Sequence, residues 1–228
     1  LLLSDHPKDC LSCQKNLNCD LQALSQELGI LEIRYQGEMR NYEKDDSSYS
    51  IIKDPNKCVM CRRCETMCNE VQTCNVLSAV NRGFDTFVGP AFNMPMSETS
   101  CTFCGQCVAV CPTAALTEVN QIRDTWRALA DPKKHVVVQV APAVRVAIGE
   151  LFGMEPGTIA TGQLAAALRK IGFDSIFDTD FGADLTIMEE ASELVHRIQH
   201  GGRLPMLTSC CPAWVKFFEH HFPDMLDI

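Results

Sequence analysis

"CTFCGQCVAVCP", residues 101–112, sets four cysteines at the spacing C-x2-C-x2-C-x3-C and follows the last with a proline. A cubic iron–sulfur core needs four thiolates around a compact inorganic centre. Three cysteines two residues apart wrap three of its corners, and the fourth comes from elsewhere in the chain. The C-P ending belongs to two-cluster runs, in which the last cysteine of each run serves the other cluster. Such a run requires a twin. "CVMCRRCETMC", residues 58–68, has the same spacing. The crossed rule assigns Cys58, Cys61, Cys64 and Cys111 to one [4Fe–4S] cluster, and Cys68, Cys101, Cys104 and Cys107 to the other. Zinc would need only two C-x2-C pairs and leaves the third cysteine of each run unexplained. Disulfides between cysteines so close in sequence are geometrically poor. The insertion "NRGFDTFVGPAFNMPMSE" (81–98), punctuated by Gly and Pro, separates the two runs.

Upstream lies a third cysteine district, "HPKDCLSCQKNLNC", with His6, Cys10, Cys13 and Cys19 at H-x3-C-x2-C-x5-C. Spacing alone leaves two readings: a zinc site of three cysteines and one histidine, or a third cluster beside the other two. In the cluster reading, an imidazole in place of a thiolate removes a negative charge and raises the potential. The apolar spacing of "DLQALSQELGI" predicts a short amphipathic helix, and the polar "NYEKDDSSYS" (41–50) reads as a linker. Cys74 fits no run and is expected to be a small buried hydrophobe. The remaining five histidines have no comparable context.

The bulk composition agrees. The chain has 228 residues, 14 of them cysteine, with a net charge of −9. Cysteines clustered at metal-ligand spacing point to a reducing compartment, the cytoplasm, rather than to a secreted disulfide scaffold. The acidic balance argues against nucleic acid or an anionic membrane as main partner, and no apolar run is long enough to span a bilayer. The chain opens on Leu1 without a Met and stops at Ile228, so both ends read as cut.

From residue 123 the pattern changes to alternating strands and helices. "RDTWRALADP" predicts a helix stopped by Pro132. "HVVVQV" (135–140) predicts a buried strand. "PGTIATGQLAAALRKIGF" predicts a helix capped by Thr161 and ending near Gly172. "DSIFDT" (174–179) predicts a second strand, "ADLTIMEEASELVHRIQHGG" a helix closed by Gly201 and Gly202, and "LPMLTS" (204–209) a third strand. Such units make a parallel sheet, with chemistry at the carboxyl ends of its strands. Those ends are "APAVR" (141–145), "DFGAD" (180–184) and "SCCPAW" (209–214). Pro212 suits the first position of a helix through "AWVKFFEHH". Cys211 then sits at a helix N-terminus, where the dipole favours a thiolate. Alternation along an extended segment points Cys210 and Cys211 opposite ways. Glu190, Glu193 and Arg197 share one helix face, which by itself is a solvated charge stripe.

The order of these motifs, ending in "TSCCPAW", resembles the [FeFe]-hydrogenases. "APAVR", "FDTDFGADLTIMEE" and "PMLTSCCPAW" look like that family's H-cluster domain. The first two districts are also similar to the iron–sulfur arms of respiratory complex I and of certain formate dehydrogenases, which lack "TSCCPAW". The family's H-cluster is a [4Fe–4S] cube joined through a shared cysteine to a di-iron unit with CO, CN⁻ and a bridging dithiolate amine. The resemblance implies that Cys211 ligates the cube and that Cys210 relays protons to the amine. It implies that Glu190, Glu193 and Arg197 form the proton path to the surface, and that Ala141 and Pro142 contact the di-iron ligands. The family's later motifs, with the other three cube cysteines, are absent from these residues, as is the [2Fe–2S] domain that often precedes the His-ligated cluster.

The expected fold is therefore α+β followed by α/β. Residues 1–48 form a small iron–sulfur domain ligated by one histidine and three cysteines, 49–122 a two-cluster ferredoxin-like domain, and 123–228 the first part of a parallel-sheet H-cluster domain. The expected function is the electron-transfer arm and partial catalytic domain of an [FeFe]-hydrogenase, with three [4Fe–4S] clusters here and the H-cluster in the whole enzyme. Expected partners are ferredoxin and flavin-containing, NADH-dehydrogenase-type iron–sulfur subunits, with electron bifurcation between NADH and ferredoxin as one form. The alternative is an electron-transfer module without hydrogen chemistry.

Overall fold

The computed structural model describes residues 1–226; the last two residues of the expected H-cluster region lie outside the described residues. The chain divides into two compact units. Among the described residues, one comprises Leu1–Val119 together with residues 207–226, and the other comprises Asn120–Met206.

In the first unit, α1 (Asp20–Glu27) follows Cys19 as the apolar spacing predicts. The cysteine runs are framed by β1 (Ile51–Lys53), α2 (Arg63–Thr66), β2 (Ser78–Val80), β3 (Phe87–Gly89), α3 (Gln106–Ala109) and β4 (Leu116–Glu118). β1 pairs antiparallel with β4, Ile52 opposite Thr117, and β2 pairs antiparallel with β3, Ala79 opposite Val88. Ile51, Leu77 and Met96 are each 1% exposed and pack with Val76, Val88 and Leu116. Cys64, Cys74, Cys101, Cys107 and Cys111 are part of this same core. A core built partly of thiols has less hydrocarbon to bury than its length suggests, and folds of this size need an added staple. Cys74 is buried at 6% exposure, as expected, with its Sγ 3.5 Å from Thr102 Oγ1.

The polar stretch 41–50 is not a slack linker. Asp45 bridges to Lys53 through main-chain bonds in both directions. Its carboxylate accepts from the Met96 and Ser47 amides, and Ser48 is buried. Side chains that look solvated by composition are here satisfied by backbone N–H groups.

The second unit contains α4 (Ile122–Leu129), β5 (Val137–Gln139), α5 (Pro142–Leu151), α6 (Thr161–Ile171), β6 (Ser175–Phe177) and α7 (Thr179–His200). β5 and β6 pair in parallel, Val138 opposite Ile176. Three expectations need correction. The first concerns 135–140: Val137 is 51% exposed, because a two-stranded sheet does not cover both faces of either strand. The second concerns caps. Thr161 is the first helical residue behind an Ala160 cap, and α7 starts at Thr179, four residues earlier than its apolar pattern. The third concerns 204–209, which forms no strand; Pro205 lacks an amide donor, and extended residues without a ladder partner are not a sheet. The helix ends at Gly172 and Gly201 hold, each glycine in the left-handed region that such caps require.

The final helix, α8 (Pro212–His221), belongs to the first unit and starts on Pro212 with Cys211 as its cap residue. Phe217 on this helix packs against the cysteine-containing core. Among the described residues no helix is long and apolar enough to cross a membrane.

Candidate metal centres

The two cysteine runs fold alike. Met60 and Phe103, at matching positions, both have φ +56°, and Arg62 and Gly105, two residues on, have +60° and +75°. Non-glycine residues avoid this region, so its recurrence marks a curl that the loop must make. The curl turns amides inward: the Met60 and Phe103 N–H groups donate to Cys58 Sγ and Cys101 Sγ, each at 3.4 Å.

The thiols fall into two cavities. Cys58, Cys61, Cys64 and Cys111 line one; Cys68, Cys101, Cys104 and Cys107 line the other. In each cavity the fourth cysteine comes from the opposite run. Their electrostatics follow the same sets. Burial pushes the Cys64 thiol up to about 12, with Cys111, Cys58 and Cys61 adding to it. Burial, with Cys68 and Cys104, pushes Cys101 up to about 11. Cys107 is raised by burial and then chiefly by Cys101, and Cys58 by burial and then by Cys111. Buried thiols that repel one another as anions are stable as anions only around a cation. Every cysteine is unbridged. Among the described residues no three His, Cys, Asp or Glu side chains gather as a single-ion site would require. Four soft donors spread around one cavity fit a polynuclear iron–sulfur core.

In the N-terminal district, His6, Cys10 and Cys19 line a common cavity with Leu21 and Ile30. Cys13 is outside that lining; against burial, the hydrogen bond to Asp9 and then the Cys13 thiol raise the Lys57 ammonium. Burial, and then Lys57, lower His6, favouring the neutral imidazole that binds metals. Charged pairs tie this district to the first run: Asp9 to Lys57 at 2.8 Å, Asp20 to Arg63 at 3.2 Å, and Asp5 to Arg40. Arg40 also donates to the Cys58 carbonyl at 3.0 Å. These long-range partners carry no local sequence signal and escaped the reading of motifs.

The remaining expected site residues are placed as follows. Cys210 and Cys211 are both exposed, and the Cys211 amide donates to Ser209 Oγ at 3.1 Å. Burial does not separate the pair; backbone role does, because Cys211 alone caps α8. In the second unit, Ala141 caps α5 and Pro142 is its first residue. On α7, Arg197 Nε donates to Glu193 Oε1 at 2.8 Å, which lowers the Glu193 carboxyl. Glu190 lies half-buried on the same helix. One feature of the strand ends was missed: Arg145 of α5 reaches Asp178 at 3.0 Å and Asp180 at 2.7 Å, joining the end of β5 to that of β6.

Three family models match. Residues 134–228 match the iron-only hydrogenase large subunit, C-terminal domain. Residues 1–34 match the NADH-ubiquinone oxidoreductase-G iron–sulfur binding region, and 95–117 a 4Fe-4S binding domain. The HndD subunit of NADP-reducing hydrogenase from Solidesulfovibrio fructosivorans is 62% identical over 100% of this chain and 40% of its own length. Iron hydrogenase 1 from Clostridium pasteurianum is 39% identical over 99% of this chain and 40% of its own. An apo [FeFe]-hydrogenase structure from Chlamydomonas reinhardtii is 52% identical over 47% of this chain and 28% of its own, with a TM-score of 0.41. The chain thus spans 40% of the length of the two curated relatives.

Proposed function

We propose, proceeding from the chain's homology along its length to the [FeFe]-hydrogenases, that it is the electron-input arm and the first part of the catalytic domain of a multi-subunit hydrogenase. The whole enzyme would interconvert H2 with two protons and two electrons. The crossed sorting of eight thiols into two cavities carries this reading. When bound, the iron–sulfur cores would carry single electrons, and the di-iron unit of the H-cluster would supply the hydrogen chemistry.

The residues divide that work. Cys58, Cys61, Cys64 and Cys111 hold one cluster, Cys68, Cys101, Cys104 and Cys107 the second, and His6, Cys10, Cys13 and Cys19 the third. Cys211 supplies one thiolate of the H-cluster cube, and Ala141 and Pro142 line its di-iron side. Cys210 holds the transferable proton at its Sγ. Glu190, Glu193 and Arg197 form the exit path, where the Glu193 carboxylate is kept ionised by Arg197. The partners are a flavin and iron–sulfur dehydrogenase that handles NAD(P)H, and ferredoxin. The compartment is the cytoplasm. The boundaries 1–48, 49–122 and 123–228 separate these roles.

Iron and sulfide analysis of anaerobically reconstituted protein tests the reading. About twelve irons per chain are expected, four for each cube. Zinc bound in place of iron in the paired runs would overturn it. His6→Ala is expected to lower the count by about four irons, leaving the two paired clusters' EPR signals unchanged. An unchanged iron count would remove His6 from the ligands.

A further inference from the structure

Lys53 is the buried cation that the cluster reading does not use. It is 3% exposed, and lysine is almost never so buried without a compensating partner. Its Nζ lies 3.3 Å from Asn93 Oδ1 and 5.6 Å from the centroid of the Phe87 ring. A Cβ on Gly89 would stand 3.0 Å from Nζ and 2.9 Å from that ring, so the missing side chain at Gly89 leaves the ammonium its place. Lys53 lines the same cavity as Cys58, Cys61, Cys64 and Cys111.

Three other cations stand near this cavity, and carboxylates hold them. Arg62 is gripped by both Glu65 oxygens at 2.6 Å, Arg40 pairs with Asp5, and Lys57 with Asp9. Among the described residues no carboxylate forms an ion pair with Lys53. Asp45, its main-chain neighbour, spends its oxygens on the Met96 amide and on Ser47; burial pulls the Lys53 ammonium down, and the Asp45 charge offsets part of that through space. The twin cavity is lined by apolar and neutral polar side chains besides its cysteines, without a charged residue. Two loops of matching backbone therefore enclose electrostatically unlike cavities.

We infer that Lys53 is a positioning residue of charge: its ammonium raises the reduction potential of the cluster held by Cys58, Cys61, Cys64 and Cys111 and leaves the twin cluster unaffected. A cluster ligated by thiolates is anionic and gains one further negative charge when it takes up an electron. A fixed buried cation stabilises that added charge, while water screens it little. The consequence is directional, since the Lys53 side of the pair is favoured to hold the electron.

This inference rests on the cluster reading above, and the experiment separates the two. Iron-loaded wild type, Lys53→Met, Lys53→Gln and Lys53→Arg are titrated anaerobically with dithionite, following each cluster's EPR signal and measuring iron. Lys53→Met and Lys53→Gln should move one of the two paired-cluster waves to more negative potential and leave the other in place; Lys53→Arg should stay near wild type. If both neutral variants lose the cluster while Lys53→Arg retains it, the requirement for charge stands in stronger form. No movement of either wave, equal shifts of both waves, or an arginine variant that behaves like methionine or loads no iron would overturn the inference. Wild type without iron would instead overturn the cluster reading.

Discussion

Cys107→Ser is expected to remove about four irons per chain and most of the cooperative unfolding transition of the cysteine-rich unit. Cys107 sits on α3 at 8% exposure, inside the core and beside the thiols of Cys101, Cys104, Cys68 and Cys64. A serine there adds a buried hydroxyl that does not deprotonate to replace a thiolate, so the cluster loses one of its four run-derived corners. Structural metal binding contributes on the order of 10 kcal/mol in small metal-dependent folds, comparable to the entire stability of an ordinary domain. Here the emptied cavity borders Leu77 and Met96, both 1% exposed, so losing the cluster also opens the centre of the core. Cys74→Ala is the matched control. Cys74 is equally buried and borders the same cavity, yet belongs to neither run. It should keep the full iron content and cost about 1–2 kcal/mol, the range of a small core truncation. Iron analysis with thermal unfolding reads both variants. Full iron in Cys107→Ser, or iron loss in Cys74→Ala, would refute the ligand set.

The contrast between those two cysteines was legible in spacing alone, because a cluster loop is a local object: four donors, fixed intervals and a curl of the backbone. Helices 20–27, 161–171 and 212–221 were legible for the same reason, since apolar period, a closing Gly172 and an opening Pro212 are written within a few residues, although the start of 161–171 falls at Thr161 itself and not after it. Features that depend on distant partners were not. The strand expected at 204–209 has suitable residues but no ladder to join, and Val137 belongs to a strand without being buried. Arg145 reaches its two aspartates across more than thirty residues. The insertion 81–98 looked like a spacer between repeats. Folded, it contributes β3 and the turn after it, whose Phe87, Gly89 and Asn93 surround the Lys53 ammonium. A repeat shows in sequence how its halves agree; the surroundings of Lys53, which lines only one of the two cavities, come from the insertion between them.

In the whole enzyme, Cys211→Ser and Cys210→Ser are expected to abolish hydrogen turnover for different reasons, and metal analysis tells them apart. Cys211 ends an extended stretch and caps α8, with Pro212 fixing the first helical φ and the Cys211 amide tied to Ser209. That position holds its side chain at the amino end of a helix anchored on the core through Phe217, a rigid mount suited to a ligand. Cys210 lies one residue outside the helix, exposed and free of the cap, as suits a group that must pick up and release a proton. Losing a metal ligand should lower the iron bound at the proposed catalytic centre and leave the iron–sulfur content of the N-terminal cysteine districts unchanged. Losing a proton relay should leave every metal in place while H2 oxidation falls by roughly 10² to 10⁴, the span of general acid–base contributions. Serine at 210 keeps the size but not the acidity of a thiol. Cys210→Asp restores an ionisable group at that position and should recover part of the rate with a shifted pH profile. Equal iron loss in both variants would mean that the adjacent cysteines share one role as ligands, and full activity in Cys211→Ser would move the catalytic centre elsewhere.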